Sequence, residues 1–187
     1  MASELYVETL KGLTSGANAN KVIIPAGQTL YAPGHVIQVV STTKSDVFSM
    51  TSTTFTDVTG LSVSITPSST SSKILVFAEI KFNGQGSERT YFRLMRDSTA
   101  VCIGDAAGSR PRISAGGHQS QSIYTLEGDS INYLDSPATT SATTYKVQMR
   151  GLDNENAIYV NRSRDDRDTA NYEPRSASTI TVMEIAG

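Results

Sequence analysis

Leu61, Val63 and Ile65 alternate with Ser62, Ser64 and Thr66, and this period of two limits what the chain can fold into more than any other feature. Alternation places apolar side chains on one face of a pleated strand and hydroxyls on the other, as an antiparallel sheet with one wetted side requires. Comparable segments recur at spacings usual for all-β domains. They occupy residues 35–42, 61–66, 73–82, 89–96, 100–104, 120–126, 129–135, 143–151, 157–160 and 178–185. Residues 74–82, ILVFAEIKF, carry apolar side chains on both faces and predict a central strand. Glu127-Gly128-Asp129 predicts a tight turn and residues 83–87 a hairpin connection. The expected fold is therefore all-β, an antiparallel β-sandwich of jelly-roll type with an extended N-terminal arm. Val63, Ile65, Leu75, Phe77, Phe92, Leu94, Val147 and Val182 are its expected core.

With 187 residues and 38% hydrophobic content, the chain has room for one sandwich-sized domain and a short appendage. Residues 34–187 form the predicted knob. Residues 1–33 form the predicted attachment arm, an irregular stretch of low charge with too little apolar surface to fold alone. Its apolar anchors are Val22, Ile23 and Ile24, preceded by Leu5 and Val7, which fit extended structure, with a short helix capped by Ser3 and carrying Tyr6, Leu10 and Leu13 as the alternative; for the arm as a whole, an ordinary first strand with loose ends is the competing reading. Sixteen basic residues against eighteen acidic ones, a net charge of -2, argue against a nucleic-acid partner, which needs a concentrated excess of Lys and Arg. The single cysteine, Cys102, rules out an intrachain disulfide and reads as a small hydrophobe in a strand. The N-terminal residues lack signal-peptide character and no apolar run is of membrane-spanning length, so a soluble product made in the cytosol is expected.

Few side chains form a recognisable reaction centre. His35 and His118 lie near no second His and not near Cys102, so no metal site is predicted; His118 reads as a loop residue after Gly116-Gly117. A Ser/His/Asp triad is not marked by any Gly-x-Ser-x-Gly elbow. Carboxylate pairs for glycoside chemistry can be drawn among Glu79, Glu88 and Glu127, but nothing marks two as converging. Residues 161–175, NRSRDDRDTANYEPR, interleave three aspartates with arginines that would neutralise a calcium site, so they read as a salt-bridged loop or a contact surface. Residues 104–121 are a second long loop. Arg110, Arg112, His118, Arg164 and Arg167 are the candidate ligand or subunit contacts, and no cofactor is expected.

The segments at 33–46, PGHVIQVVSTTKSD, at 54–82 and at 178–187, STITVMEIAG, resemble a module of tailed-bacteriophage structural proteins, particularly marine and cyanobacterial ones. That module is similar to short-fibre, head-fibre or capsid decoration domains. The resemblance implies a non-enzymatic component of the virion, made in the host cytoplasm. It further implies a homotrimer attached to capsid or tail proteins through the arm, with a host-surface glycan as a further partner and no membrane insertion. A carbohydrate-binding module or glycan-active enzyme is the alternative function.

Overall fold

The computed structural model describes residues 14–17, 23–24, 32–84, 89–119 and 122–187. The chain divides into two compact units, Met1–Ala32 and Pro33–Gly187. In the first, Ile23 and Ile24 are exposed; Leu5, Val7 and Val22 lie outside the described residues.

The second unit contains eleven strands and, among the described residues, no helix. These are β1 (Val36–Lys44), β2 (Phe48–Met50), β3 (Thr56–Ile65), β4 (Lys73–Gly84), β5 (Arg89–Arg96) and β6 (Thr99–Val101). They continue with β7 (Ala115–Gln119), β8 (Glu127–Asp135), β9 (Thr143–Arg150), β10 (Ile158–Val160) and β11 (Ser178–Ile185). All pairings are antiparallel and fall into two sheets. Sheet A runs β1-β11-β4-β8, with the short β2 and β10 continuing it; sheet B runs β3-β9-β5, with β7 and β6 sharing the far side of β5. With the three-residue β2, β6 and β10 set aside, four strands remain in each sheet, and their order is that of a jelly roll built of two Greek keys. The expected sandwich is thus the observed one.

The core fills the space between the sheets. Leu61, Val63, Ile65, Phe92, Leu94, Val147 and Met149 face it from sheet B, and Ile74, Val76, Ile80, Phe82, Ile131, Ile180 and Val182 from sheet A. Phe82 and Phe92 meet edge to face across it at 4.9 Å. Six of the eight expected core residues are buried; Leu75 and Phe77 are not, and Phe77 keeps 39% of its surface exposed. The charges of Glu79 and Lys81, which pair with each other on the outer face, fix the parity of β4 and turn Leu75 and Phe77 outward with them.

Other expectations fail locally. Glu127-Gly128-Asp129 is no turn but the start of β8, paired with Phe82, Lys81 and Ile80. A Cβ at Gly128 would meet the Lys81 Nζ at 2.8 Å, the end of a flexible side chain that can swing aside. Of the hairpin expected at residues 83–87, residues 83–84 belong to β4 and residues 85–87 lie outside the described residues; β4 and β5 do not pair as a hairpin, since they belong to different sheets. Residues 122–126 are irregular. Cys102 follows the end of β6 with φ 53° and is only half-buried; burial nevertheless pushes its thiol upward.

Two buried carboxylates are tied into networks, as low-dielectric surroundings demand. Asp135 accepts two hydrogen bonds from Arg96 at 2.9 Å and one from the Tyr145 hydroxyl at 2.7 Å. Burial, reinforced by the Asp135 carboxylate, pushes the Tyr145 phenol strongly upward. Glu184, on β11, accepts from Gln38 of β1 at 2.6 Å and from the Ser68 amide and hydroxyl at 2.7 and 2.6 Å.

Candidate functional sites

Asn161, with φ 64°, anchors the loop that follows β10. Its amide donates to the carbonyls of Lys44 and Asp46 at 2.8 and 3.0 Å, and its Oδ1 accepts from the Ser178 hydroxyl at 2.6 Å. An isolated bridge between Arg162 and Arg175 brings the two ends of the loop together. A compact loop with near ends, packed by its own side chains, is a frequent carrier of function.

Inside this loop each arginine has a carboxylate. Glu173, fully enclosed, accepts from the Ser163 hydroxyl at 3.0 Å, from the Arg167 amide at 2.7 Å and from the Arg167 side chain. Asp166 takes both Arg175 donors at 2.9 and 2.5 Å and lies 3.8 Å from Arg162; Arg164 donates to Asp165 at 2.8 Å. The Arg175 hydrogen bond holds the Asp166 carboxyl low, and the Arg164 hydrogen bond does the same for Asp165. At Glu173 burial works upward, but the Arg167 and Ser163 donors outweigh it and the net shift is downward.

The loop and residues 124–126 enclose a cleft of about 840 Å³, lined by Tyr124, Leu126, Arg167, Asn171, Tyr172 and Arg175 among others. The Tyr124 and Tyr172 rings lie 5.7 Å apart at 46°, Tyr172 is 64% exposed, and Arg167 stands over Tyr124 at 5.2 Å. Asp166 and Glu173 both line the cleft. Glycoside hydrolysis needs one carboxyl raised to serve as an acid, whereas both of these are held ionised. Two tyrosine faces beside neutralised charge suit stacking on an uncharged ring rather than proton transfer.

The loop before β7 behaves differently. Arg112 donates from Nε to the Gly104 carbonyl at 2.6 Å, and its own carbonyl accepts from Arg93 Nη2 at 3.3 Å. Arg93 lies in β5, on the outer face of sheet B, with its guanidinium 3.8 Å above the Phe55 ring. Arg150, from β9, stands 5.8 Å from Phe55 and 5.4 Å from Tyr91 and donates from Nε to the Gly151 carbonyl at 3.0 Å. Among the described residues none of these three arginines has a carboxylate partner. Burial, with Arg112 and Arg150 as like-charged neighbours, pulls the Arg93 guanidinium below its ordinary value.

Of the residues singled out in the sequence, Arg164 and Arg167 share one loop, and Arg112 joins Arg93 and Arg150. Arg110 is exposed and belongs to neither group. His118 is not in a loop: its backbone belongs to β7 and pairs with Thr90, because Gly116, at φ 108°, forms a bulge where a Cβ would run into the Thr90 carbonyl. Sequence reasoning missed Arg93, Arg150, Tyr91, Phe55, Tyr124 and Tyr172; only the outward parity of Tyr91 and Arg93 in their strand hinted at two of them. Among the described residues no group of three His, Cys, Asp or Glu side chains could hold a metal ion.

No protein-family model matches the sequence, and no curated protein matches it. Solved structures do. One of the infectious bursal disease virus Gt strain shares 13% identity at a TM-score of 0.45, covering 89% of this chain and 47% of that one. One of the Gx strain shares 13% at 0.42 over 88% and 46%, and one of the infectious bursal disease virus VP2 subviral particle 10% at 0.42 over 88% and 45%. The chain spans about half the length of the structures it matches.

Proposed function

We propose that this protein is a non-enzymatic structural component of a tailed-phage virion, with residues 34–187 as a trimeric knob and residues 1–33 as the arm that attaches it to capsid or tail proteins. The observation that carries the reading is a row of apolar side chains across the outer face of sheet A. Val39, Met183, Leu75 and Leu134 stand opposite one another on β1, β11, β4 and β8, with Phe77 in the next row. Val39 and Leu134 are 55% and 48% exposed. Three strand spacings make the row about 14 Å wide. An isolated knob gains nothing by wetting such a row, whereas copies packed about an axis bury it and are stabilised without disulfides. Exposed Ile23 and Ile24 give the arm an apolar contact for a neighbouring virion protein.

Light scattering of the full chain is expected to give about three chain masses, in keeping with closed symmetric assembly. The double variant Leu75→Glu, Leu134→Lys is expected to remain folded and to run as a monomer. A trimer unaffected by that variant would remove the sheet A interface, and a monomeric parent would remove the assembly reading. Deletion of residues 1–33 is expected to leave a folded knob that no longer joins particles.

A second reading, a carbohydrate-binding module, draws support from the Tyr124–Tyr172 cleft. Tyr172→Ala is expected to abolish retention on a neutral glycan if that reading holds, with assembly unchanged.

A further inference from the structure

We propose that the outer face of sheet B carries an anion site, formed by Arg93, Arg112 and Arg150 against Phe55 and Tyr91, that binds the carboxylate of an acidic saccharide. The inference is independent of the assembly reading, which concerns the opposite sheet.

Three arginines are gathered here with, among the described residues, no carboxylate partner, and each is already fixed in place. Arg112 and Arg150 spend their Nε donors on the carbonyls of Gly104 and Gly151, and Arg93 spends one Nη2 donor on the Arg112 carbonyl. The terminal nitrogens of Arg112 and Arg150 are left undirected. Phe55 supports Arg93 from below, and a guanidinium stacked on a ring keeps its in-plane N–H edges available, the geometry in which a carboxylate is bound by two parallel bonds. The Arg93 Nε is buried and unpartnered. Like charges held together in this way repel one another, and an anion between them relieves the repulsion.

The surroundings select among anions. A bare phosphate or sulfate has no use for aromatic surface, whereas a sugar acid presents C–H groups to Tyr91 and Phe55 and its carboxylate to the arginines. Nucleic acid needs a longer basic track; here the neighbouring position in register with Arg93 is Gln148, and the next is Asp57, whose carboxylate accepts from Lys146 and Gln148 at 2.7 Å. An acidic peptide gains most by adding a strand at a sheet edge, and β5 is paired on both sides, with β9 and with β7 and β6.

The test is calorimetric titration of the full chain with a trigalacturonate, with its carboxyl-reduced neutral counterpart, with sodium sulfate and with a tetraglutamate peptide. Trigalacturonate is expected to bind, more weakly as salt rises, and Arg93→Gln with Arg150→Gln to weaken it roughly tenfold or more, the scale of losing charge-assisted hydrogen bonds. Arg112→Gln, on an exposed loop and so harmless to folding, is expected to act in the same direction; Arg164→Gln is expected to leave binding unchanged. Equal binding of the neutral trisaccharide, tighter binding of sulfate or of the peptide, binding insensitive to the three arginine substitutions, or no binding of trigalacturonate at millimolar concentration would each overturn the proposal.

Discussion

Two regions of this molecule are rich in arginine, and they differ in what the arginines are free to do. In the loop closed by the Arg162–Arg175 bridge, Arg162, Arg164, Arg167 and Arg175 all face carboxylates of Asp165, Asp166 or Glu173 within the same loop. On the outer face of sheet B, Arg93, Arg112 and Arg150 come from three distant parts of the chain and lean on carbonyls and aromatic rings instead. A dense charge run in a sequence is therefore a poor guide to available charge. Acids interleaved with bases neutralise one another as soon as the loop closes, whereas the cations on sheet B have, among the described residues, no carboxylate partner.

The sharpest break of this comparison lies at a third kind of setting, that of Arg96, which is half-buried and pairs with the buried Asp135. Asp135→Ala removes the acceptor of both Arg96 and the Tyr145 hydroxyl and is expected to cost about 3 kcal/mol in urea denaturation, as deletion of one partner from a buried ion pair does. A loss near zero would mean that water replaces the carboxylate and that the site is effectively exposed.

A smaller effect is expected in the loop. Glu173→Gln weakens the grip on Arg167 and should speed hydrogen exchange at the Arg167 amide, with a lower thermal midpoint than the parent but a smaller loss than Asp135→Ala. Unchanged exchange would show that the bridge and Asn161 alone hold the loop.

Acid sharpens the contrast further. Asp165, Asp166, Glu173 and Glu184 are held below their ordinary values of 3.8 for Asp and 4.5 for Glu. A depressed carboxyl contributes stability that is complete above its unfolded value and is lost as pH falls through the folded one. The loop and the base of β11 should accordingly weaken together below about pH 4, read by near-ultraviolet circular dichroism. A midpoint that rose on acidification would contradict the assignment of these ion pairs.

The smallest change is expected from Arg93→Gln or Arg150→Gln. With no carboxylate to lose, each should alter stability by no more than about 0.5 kcal/mol. A loss of several kcal/mol would reassign the cluster from ligand binding to structural support.

Much of the sandwich was legible because period-two alternation survives in single strands: residues 89–96 and 178–185 were bounded as β5 and β11 are. Alternation failed where both faces are apolar. The sequence pattern puts Leu75 and Phe77 inside, although Glu79 and Lys81, two and four positions on from Phe77, fix their side. Glycine misled twice, since Gly128 lies inside β8 and Gly116 permits a bulge in β7, and neither makes a loop. The arginine loop was legible as a salt-bridged unit, but the tyrosines of its cleft were not, because Tyr124 arrives from a segment read as a strand. Arg93 and Arg150 meet through the register of β5 and β9, which no local pattern encodes.

One consequence of the topology concerns biosynthesis. β11 lies between β1 and β4, so the two halves of sheet A cannot join until the chain has been synthesised past Ile185. A ribosome carrying everything up to β10 holds an open sheet, with the inner edge of β1 and most of one edge of β4 unpaired. Pairing of β1 with β11 across nearly the whole domain is slow by its sequence separation, and unpaired edges aggregate. Copies growing side by side on one messenger would therefore expose these edges to one another, and any exchange of β11 between them would yield a swapped oligomer of the same fold.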